Sequence, residues 1–364
     1  MLKAELLAPS ALGAAELATW TGWLAENTAL QRGFFAPGFA RACETASGLA
    51  RVAVLHEGGT VRAFLPFQFR TRWHARVGLA ERIGGLFCDN AGLIAPPGFT
   101  IAPAALLRRC RLGSLFLTHL AEEQAAFGLG AAEWRIGHRI DLGGGWQAYL
   151  DALNAGRRGF VADTERRLRR AERDYGTLDF RIDTAPDWAA VAPLIAAKRA
   201  QYHRTGAADG FEDPTRLRLI EALLAAPTAE CRPLLTTLAA GGRVLAQHLG
   251  LRHGGVLNYW FPVYDPAAQK VSPGRLLLWR TLQAAADLGL ALIDRGEGDS
   301  EAKRDFSTGT ARLGVAHWTS GTWRAAAARA WQAAAWRLER RRSGAPAQSG
   351  SAQPGPVSAT AGDV

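Results

Sequence analysis

The residues best suited to chemistry lie close together, between Gly254 and Arg304. The run Ser272-Pro273-Gly274-Arg275-Leu276-Leu277 opens a predicted helix, because serine can cap a helix and proline suits its first turn. Amides of a first turn lack intrahelical partners and carry partial positive charge, so such a start attracts phosphate. Gly274 lets a ligand approach the backbone closely. An ordinary strand–helix–strand unit with a well-capped helix gives the same pattern. His248, Tyr259 and Tyr264 precede the helix; Asp294, Glu297, Asp299 and Lys303 follow it. A histidine titrates near neutrality and can take or give a proton. Asp294 closes an apolar strand, where a carboxylate has no solubility role. Glu297 stands in the glycine-flanked loop expected behind it and can serve as a base, directly or through water. Each also has a structural reading: Asp294 caps a loop, Glu297 is exposed, His248 is hydrogen-bonded in a sheet, and Lys303 pairs with Asp299 or Glu301.

Several chemistries lack their residues. There is no G-x-S-x-G elbow, no complete P-loop and no HExxH, so nucleophilic hydrolysis, nucleotide hydrolysis and zinc proteolysis are unsupported. Cys43, Cys88, Cys110 and Cys231 are scattered without metal-ligand spacing, so no metal is expected. The net charge of +10 points to an anionic partner or surface. Much of the excess lies in Arg157 to Arg173 and Arg324 to Arg342, both interrupted by acids. A solvated helix face accounts for the first; phosphate or RNA would use the same face. No apolar run approaches the ~20 residues of a membrane span, and the start lacks a signal-peptide pattern. The expectation is a reduced, cytoplasmic protein with peripheral contact at the inner membrane.

The elements that would position these residues are legible from periodicity. Leu12 to Asn27 reads as a helix with Trp20, Trp23 and Leu24 on one face, and Phe34, Phe35 and Phe39 as a core cluster. Leu49 to His56 and Val61 to Phe69 form a hairpin across Gly58-Gly59, with Pro66 marking an edge or bulge. Asp89-Asn90 is a turn or an acceptor contact. Ala102 to Leu120 is helical, or ends in a strand at Leu115 to His119. Trp134 to Leu142 is a strand, and Gly143-Gly144-Gly145 the best boundary between packed domains. Helices follow at Trp146 to Leu153, Arg157 to Tyr175, Trp188 to Tyr202 and Pro214 to Leu224. Leu178 to Ile182 is a strand. Leu234 to Ala239, Val244 to Leu251 and Val256 to Phe261 make an antiparallel meander around glycine pairs. Leu290 to Ile293 and Leu313 to Thr319 complete an α+β pattern. Trp323 to Arg342 is a basic helix that docks on the core or on anionic lipid. The Ser, Gly, Pro and Ala-rich stretch from Ser343 is expected to be disordered.

The order Trp260…Tyr264-Asp265, Ser272 to Leu277, then Asp294…Gly296…Gly298-Asp299…Lys303 resembles the CelD/BcsL-type acetyltransferases of the GNAT superfamily, associated with cellulose and exopolysaccharide synthesis. Phe211-Glu212-Asp213-Pro214 and Ala246-Gln247-His248 extend the likeness upstream. It implies two tandem GNAT-like domains with mixed, mostly antiparallel sheets: residues 1–145 degenerate, 146–322 holding the acyl-CoA site, then the helix 323–342 and the tail 343–364. Acetyl-CoA or another acyl-CoA would lie along Trp260, Phe261 and Val263, with its diphosphate at Val271, Ser272, Gly274, Arg275 and Leu276. His248, Tyr264, Asp294 and Glu297 would move protons, and Asp89, Asn90, Tyr202, Asp299 and Lys303 would meet an amine or saccharide amine. Two departures stand out. Lys270 to Leu276 keeps one glycine of the superfamily's Gln/Arg-x-x-Gly-x-Gly/Ala pattern, and Ala302 replaces the aromatic expected before the lysine. The FemAB-type ligases, also tandem GNAT proteins, offer transfer from aminoacyl-tRNA as an alternative; nucleic acid is otherwise not expected. A non-catalytic scaffold of a polysaccharide synthase is the third.

Overall fold

The computed structural model describes residues 1–322, with Ala326 and Ala330 isolated beyond them. The expected basic helix 323–342 and the tail from Ser343 lie outside these residues. The first half of the chain runs β1 (Lys3–Leu7), α1 (Ala14–Glu26), α2 (Pro37–Ser47), β2 (Ala50–Glu57), β3 (Thr60–Phe69), α3 (Arg72–Val77), β4 (Leu79–Arg82), α4 (Pro103–Arg109), β5 (Ser114–Ala121) and β6 (Glu133–Asp141). The second runs α5 (Gly145–Gly156), α6 (Phe160–Tyr175), β7 (Leu178–Asp183), α7 (Trp188–Thr205), α8 (Pro214–Ala225), β8 (Arg232–Ala240), β9 (Arg243–His253), β10 (Val256–Tyr264), α9 (Pro273–Gln283), β11 (Leu292–Glu297), α10 (Glu301–Phe306) and β12 (Gly309–Thr319). The ambiguous stretch after Ala102 therefore splits into a short helix and a strand. β11 runs to Glu297, so Asp294 sits within the strand and Glu297 is not in a loop. Tight turns at Gly58-Gly59 and Gly241-Gly242 take positive φ at both residues, which glycine adopts without steric cost.

All twelve strands form one sheet, in the order β1-β2-β3-β4-β5-β12-β6-β11-β10-β9-β8-β7. Only β4–β5 and β10–β11 pair in parallel. The pattern repeats: β1 to β5 and β7 to β11 each run antiparallel until a final parallel step. The sixth strand of each repeat is exchanged. β12 lies beside β5 and β6 beside β11, and the two exchanged strands pair with each other from Gly309↔Arg139 to Val315↔Glu133. The division expected at Gly143–Gly145 is thus a break in the chain and not in the sheet. The cores repeat the lesson. One combines Trp20, Phe34 and Phe67 with Leu194 and Leu219 of α7 and α8; the other lies beneath α5, α6 and α9 around Tyr149, Leu276, Trp279 and Ile293.

One irregularity shapes the second half. The β9–β10 register shifts between Asn258 and Phe261, a β-bulge. The Nε2 atom of His248 accepts the Trp260 amide at 3.1 Å, and its ring stacks on Tyr259 with centroids 3.6 Å apart. Gly250 faces the bulge: a Cβ there would stand 2.6 Å from the Asn258 carbonyl oxygen and 2.7 Å from the His248 ring. Overpacking of this kind costs about 2 kcal/mol. Gly250→Ala is therefore expected to lower the urea midpoint by that equivalent, whereas Gly242→Asn in the exposed turn should shift it far less.

Candidate active site

The parallel ladder between β10 and β11 holds for three pairs, Val256↔Leu292, Leu257↔Ile293 and Asn258↔Asp294. Past it lies a cleft of about 330 Å³, walled by Tyr259, Pro262 and Tyr264 of β10, by Ser272, Gly274 and Arg275 at the start of α9, and by Arg295 and Ala302. The amides of Gly274 and Arg275 belong to the first turn, where the helix supplies no carbonyl to them. Ser272 does not cap this helix. It takes a left-handed conformation (φ 54°), and its Oγ accepts the Arg167 guanidinium at 2.8 Å. Arg275 turns back to α6, pairing with Asp163 at 3.0 Å and lying 4.0 Å from the Phe160 ring centroid. Hydrogen bonds from Arg167 and Arg166 hold Asp163 down at about 2. Three arginines, Arg166, Arg167 and Arg275, share the one carboxylate and leave this helix start net positive.

Other residues expected to meet the donor turn their side chains away from the cleft. The side chains of Trp260, Phe261 and Val263 are buried in the first core, where Trp260 meets Phe34 edge-on at 5.4 Å. Val271 and Leu276 are buried in the second core and anchor the helix start. Tyr264 lines the cleft, half-buried.

A buried polar cluster adjoins the parting and draws on both halves. Asp294 pairs with Arg32 at 3.2 Å, both inaccessible, and accepts the Gly296 amide at 2.9 Å. Asn258 takes the Gly33 amide at 3.3 Å and donates to Asn90 at 3.1 Å, so Asn90 ties the halves together and presents nothing to an acceptor. Glu297 is bound by Arg135 at 3.0 Å and faces His119 Nε2 at 3.4 Å. His119 has φ 58°, an uncommon conformation for a histidine in a strand. Arg82 donates to its Nδ1, which places the ring hydrogen on Nε2, toward Glu297 and Asp89. Burial and the nearby Arg82 lower the His119 pKa well below its usual value, so the ring is neutral.

Asp89 keeps 22% of its side chain open, with Oδ2 beside Gly296. Burial pushes its carboxyl up to about 6 despite the opposing pull of Arg82 and Lys303. Lys303 donates to the Glu297 carbonyl, and burial, reinforced by Arg295, brings it down to about 8. Lys198 reaches from α7 to the Pro262 carbonyl at 3.0 Å; burial, with Lys303 adding, also brings it down to about 8. Two ammonium groups thus meet backbone carbonyls of β10 and β11 on either side of the parting.

Besides that of Asn90, three expected roles change. His248 is fully buried, its pKa is lowered by burial, and its Nε2 lone pair is taken by Trp260, so it shapes the bulge and is unavailable as a base. Asp294 is committed to Arg32. Tyr202 is buried beside Phe211 with Lys198 over its ring at 5.3 Å, which makes it support for that lysine. Asp299 lies at the rim, bonded to His138 at 2.9 Å. Arg32, Arg82, His119 and Arg135 carried no sequence signal, whereas Arg167 belongs to the basic stretch Arg157 to Arg173, a face that phosphate could use. Lys198 did: it shares the buried face of α7 with Val191, Leu194, Ile195 and Tyr202, and a lysine on an apolar face needs a partner.

Residues 158–304 match the acetyltransferase (GNAT) domain family. No curated protein sequence matches the chain. Among solved structures it is similar to FemX (TM-score 0.55, 10% identity, 85% of this chain and 96% of that one). It is also similar to the C-terminal domain of an Agrobacterium fabrum protein described as a lysylphosphatidylglycerol synthetase (0.52, 12%, 87% and 95%). A Bacteroides thetaiotaomicron protein of unknown function is a third (0.51, 11%, 83% and 97%). The match to the GNAT acetyltransferase domain thus covers much of the second half, within an α+β fold whose two halves repeat one strand pattern. No helix among the described residues is long and apolar enough to cross a membrane.

Removing one member of a buried ion pair strands its partner, at a cost of about 3 kcal/mol or more. Asp294→Ala should destabilise the protein by that amount in equilibrium unfolding, and Asp299→Ala, at the exposed rim, far less.

Proposed function

We propose that this protein transfers an acyl group from an acyl-CoA, acetyl-CoA first among them, to an amine. One observation carries the reading: β10 and β11 separate after three pairs, and the cleft they open reaches the first turn of α9. The residues fit such a donor. The Gly274 and Arg275 amides and the Arg167 guanidinium would hold its diphosphate, and the freed edge of β10 would align its pantetheine arm. The thioester supplies an activated carbonyl and a thiolate leaving group. The Lys198 and Lys303 ammonium groups put positive charge at the parting, where oxygen gaining negative charge is stabilised. Asp89 takes the amine proton; a carboxyl near 6 is ionised at neutral pH yet more basic than an exposed one. Ala302 brings no hydroxyl to the cleft, so protonation of the departing thiolate falls to Tyr264 or water.

The resemblance to CelD/BcsL-type enzymes favours an amino sugar or another envelope amine in exopolysaccharide assembly as acceptor. The test is labelled acetyl-CoA over a panel of amino sugars and amines, with calorimetric titration of CoA; neither transfer nor binding would end the reading. A second reading, aminoacyl transfer from tRNA, is favoured by the outward arginines of α6, where Arg166 and Arg173 leave over 70% of their side chains open. Steeply salt-dependent tRNA binding would select it.

The pH profile of kcat should be bell-shaped. Activity rises through about pH 6 as Asp89 loses its proton, and falls through about pH 8 as Lys303 loses its charge. Asp89→Asn should erase the acidic limb and lower kcat by roughly 10²- to 10⁴-fold. Arg167→Ala should raise KM for acyl-CoA about tenfold, the equivalent of one charge-assisted hydrogen bond, with kcat little changed.

A further inference from the structure

The repeat in the sheet places a second parting in the first half. β4 and β5 also pair in parallel over three positions, Leu79↔Ser114 to Glu81↔Phe116. A cavity of about 270 Å³ lies against the ends of these strands, and its other walls come from α2 and α8. Nothing from α4, the counterpart of α9, lines it. It therefore lacks the helix start that suits a diphosphate and is not a second copy of the donor cleft.

Its distinguishing group is Arg82, which is 6% exposed. Both hydrogen bonds it makes leave from Nη1, to the Cys88 carbonyl at 2.6 Å and to His119. No carboxylate forms an ion pair with it among the described residues. Arg82 lines the cavity, and its Nε and Nη2 donors make no hydrogen bond to another described residue. Buried guanidinium groups are normally matched by a carboxylate or phosphate, because an unpaired charge out of water is costly. Arg70, Arg216 and Arg218 add positive charge around the same cavity, and Thr118 adds a hydroxyl. Of the acids on the same wall, Glu81 accepts Gln68 at 2.9 Å, and Asp213 caps α8 through the Thr215 amide at 2.9 Å and lies 4.0 Å from Arg216.

We propose that this cavity is a binding site for a small oxyanion, a carboxylate or phosphate group whose oxygens complete the hydrogen bonding of Arg82. The site is separate from the donor cleft and does not depend on the transferase reading. Occupancy would be sensed by the active-site cluster, since Arg82 also fixes the His119 ring that faces Glu297 and Asp89.

The full chain would be titrated calorimetrically with inorganic phosphate and with succinate at constant ionic strength, with and without saturating CoA. Saturable one-to-one binding of either anion, persisting with CoA present, is expected; the anion preferred tells phosphate from carboxylate ligands. Arg82→Gln should weaken it at least tenfold, and Thr118→Val several-fold with the fold intact should Arg82→Gln fail to fold. No saturation by either anion, loss of binding on adding CoA, or unchanged affinity in a folded Arg82→Gln or in Thr118→Val would overturn the proposal.

Discussion

The separation of β10 from β11 is the constraint on which the rest of the site depends. A parallel ladder continues unless something takes its place, and here several features do. The bulge at Asn258–Phe261 rotates the strand, and His248 occupies the Trp260 amide that the bulge leaves over. Gly250 makes room for the ring. On the other side, Asp294 is held by Arg32 and by the Gly296 amide, so β11 is pulled toward the first half just where β10 leaves it.

The exchange of β6 and β12 explains why a site of this kind belongs to the whole chain. Each half is completed by the other's last strand, and that places Arg135 and His138 of β6 beside Glu297 and Asp299 of β11's end. Asp89 and His119 then reach the same place from the first half. Positive and negative groups alternate through this region: Arg32 with Asp294, Arg135 with Glu297, Lys303 beside Asp89. Buried charges persist only when so matched. The matching is weakest at Lys198, whose pKa is depressed by burial and whose ammonium group donates to the Pro262 carbonyl.

The two halves share a topology and have diverged in chemistry. In the second half the parting opens onto the α9 start; in the first, arginines and two helices from different halves surround the equivalent place.

Local pattern was enough for most elements. The β2–β3 hairpin, the meander β8–β9–β10, the helix opening at Pro273 and the strand after it all follow from period, turn glycines and proline placement, because these act over a few residues. The helix start beside the cleft was legible too, since it carries its own unpaired amides. The sequence could not show that Trp260 and Phe261 point into a core, that His248 is spent on a bulge, or that Asp294 answers an arginine 262 residues away. Nor could it show the strand exchange, as a β12 sequence fits beside β5 or β11 equally well. Such outcomes depend on which side chains share a buried space, and burial is a property of the assembled sheet: it moved Asp89 and Lys303 toward neutrality and left Arg82 facing a cavity, although the chain order sets Lys303 far from the other two.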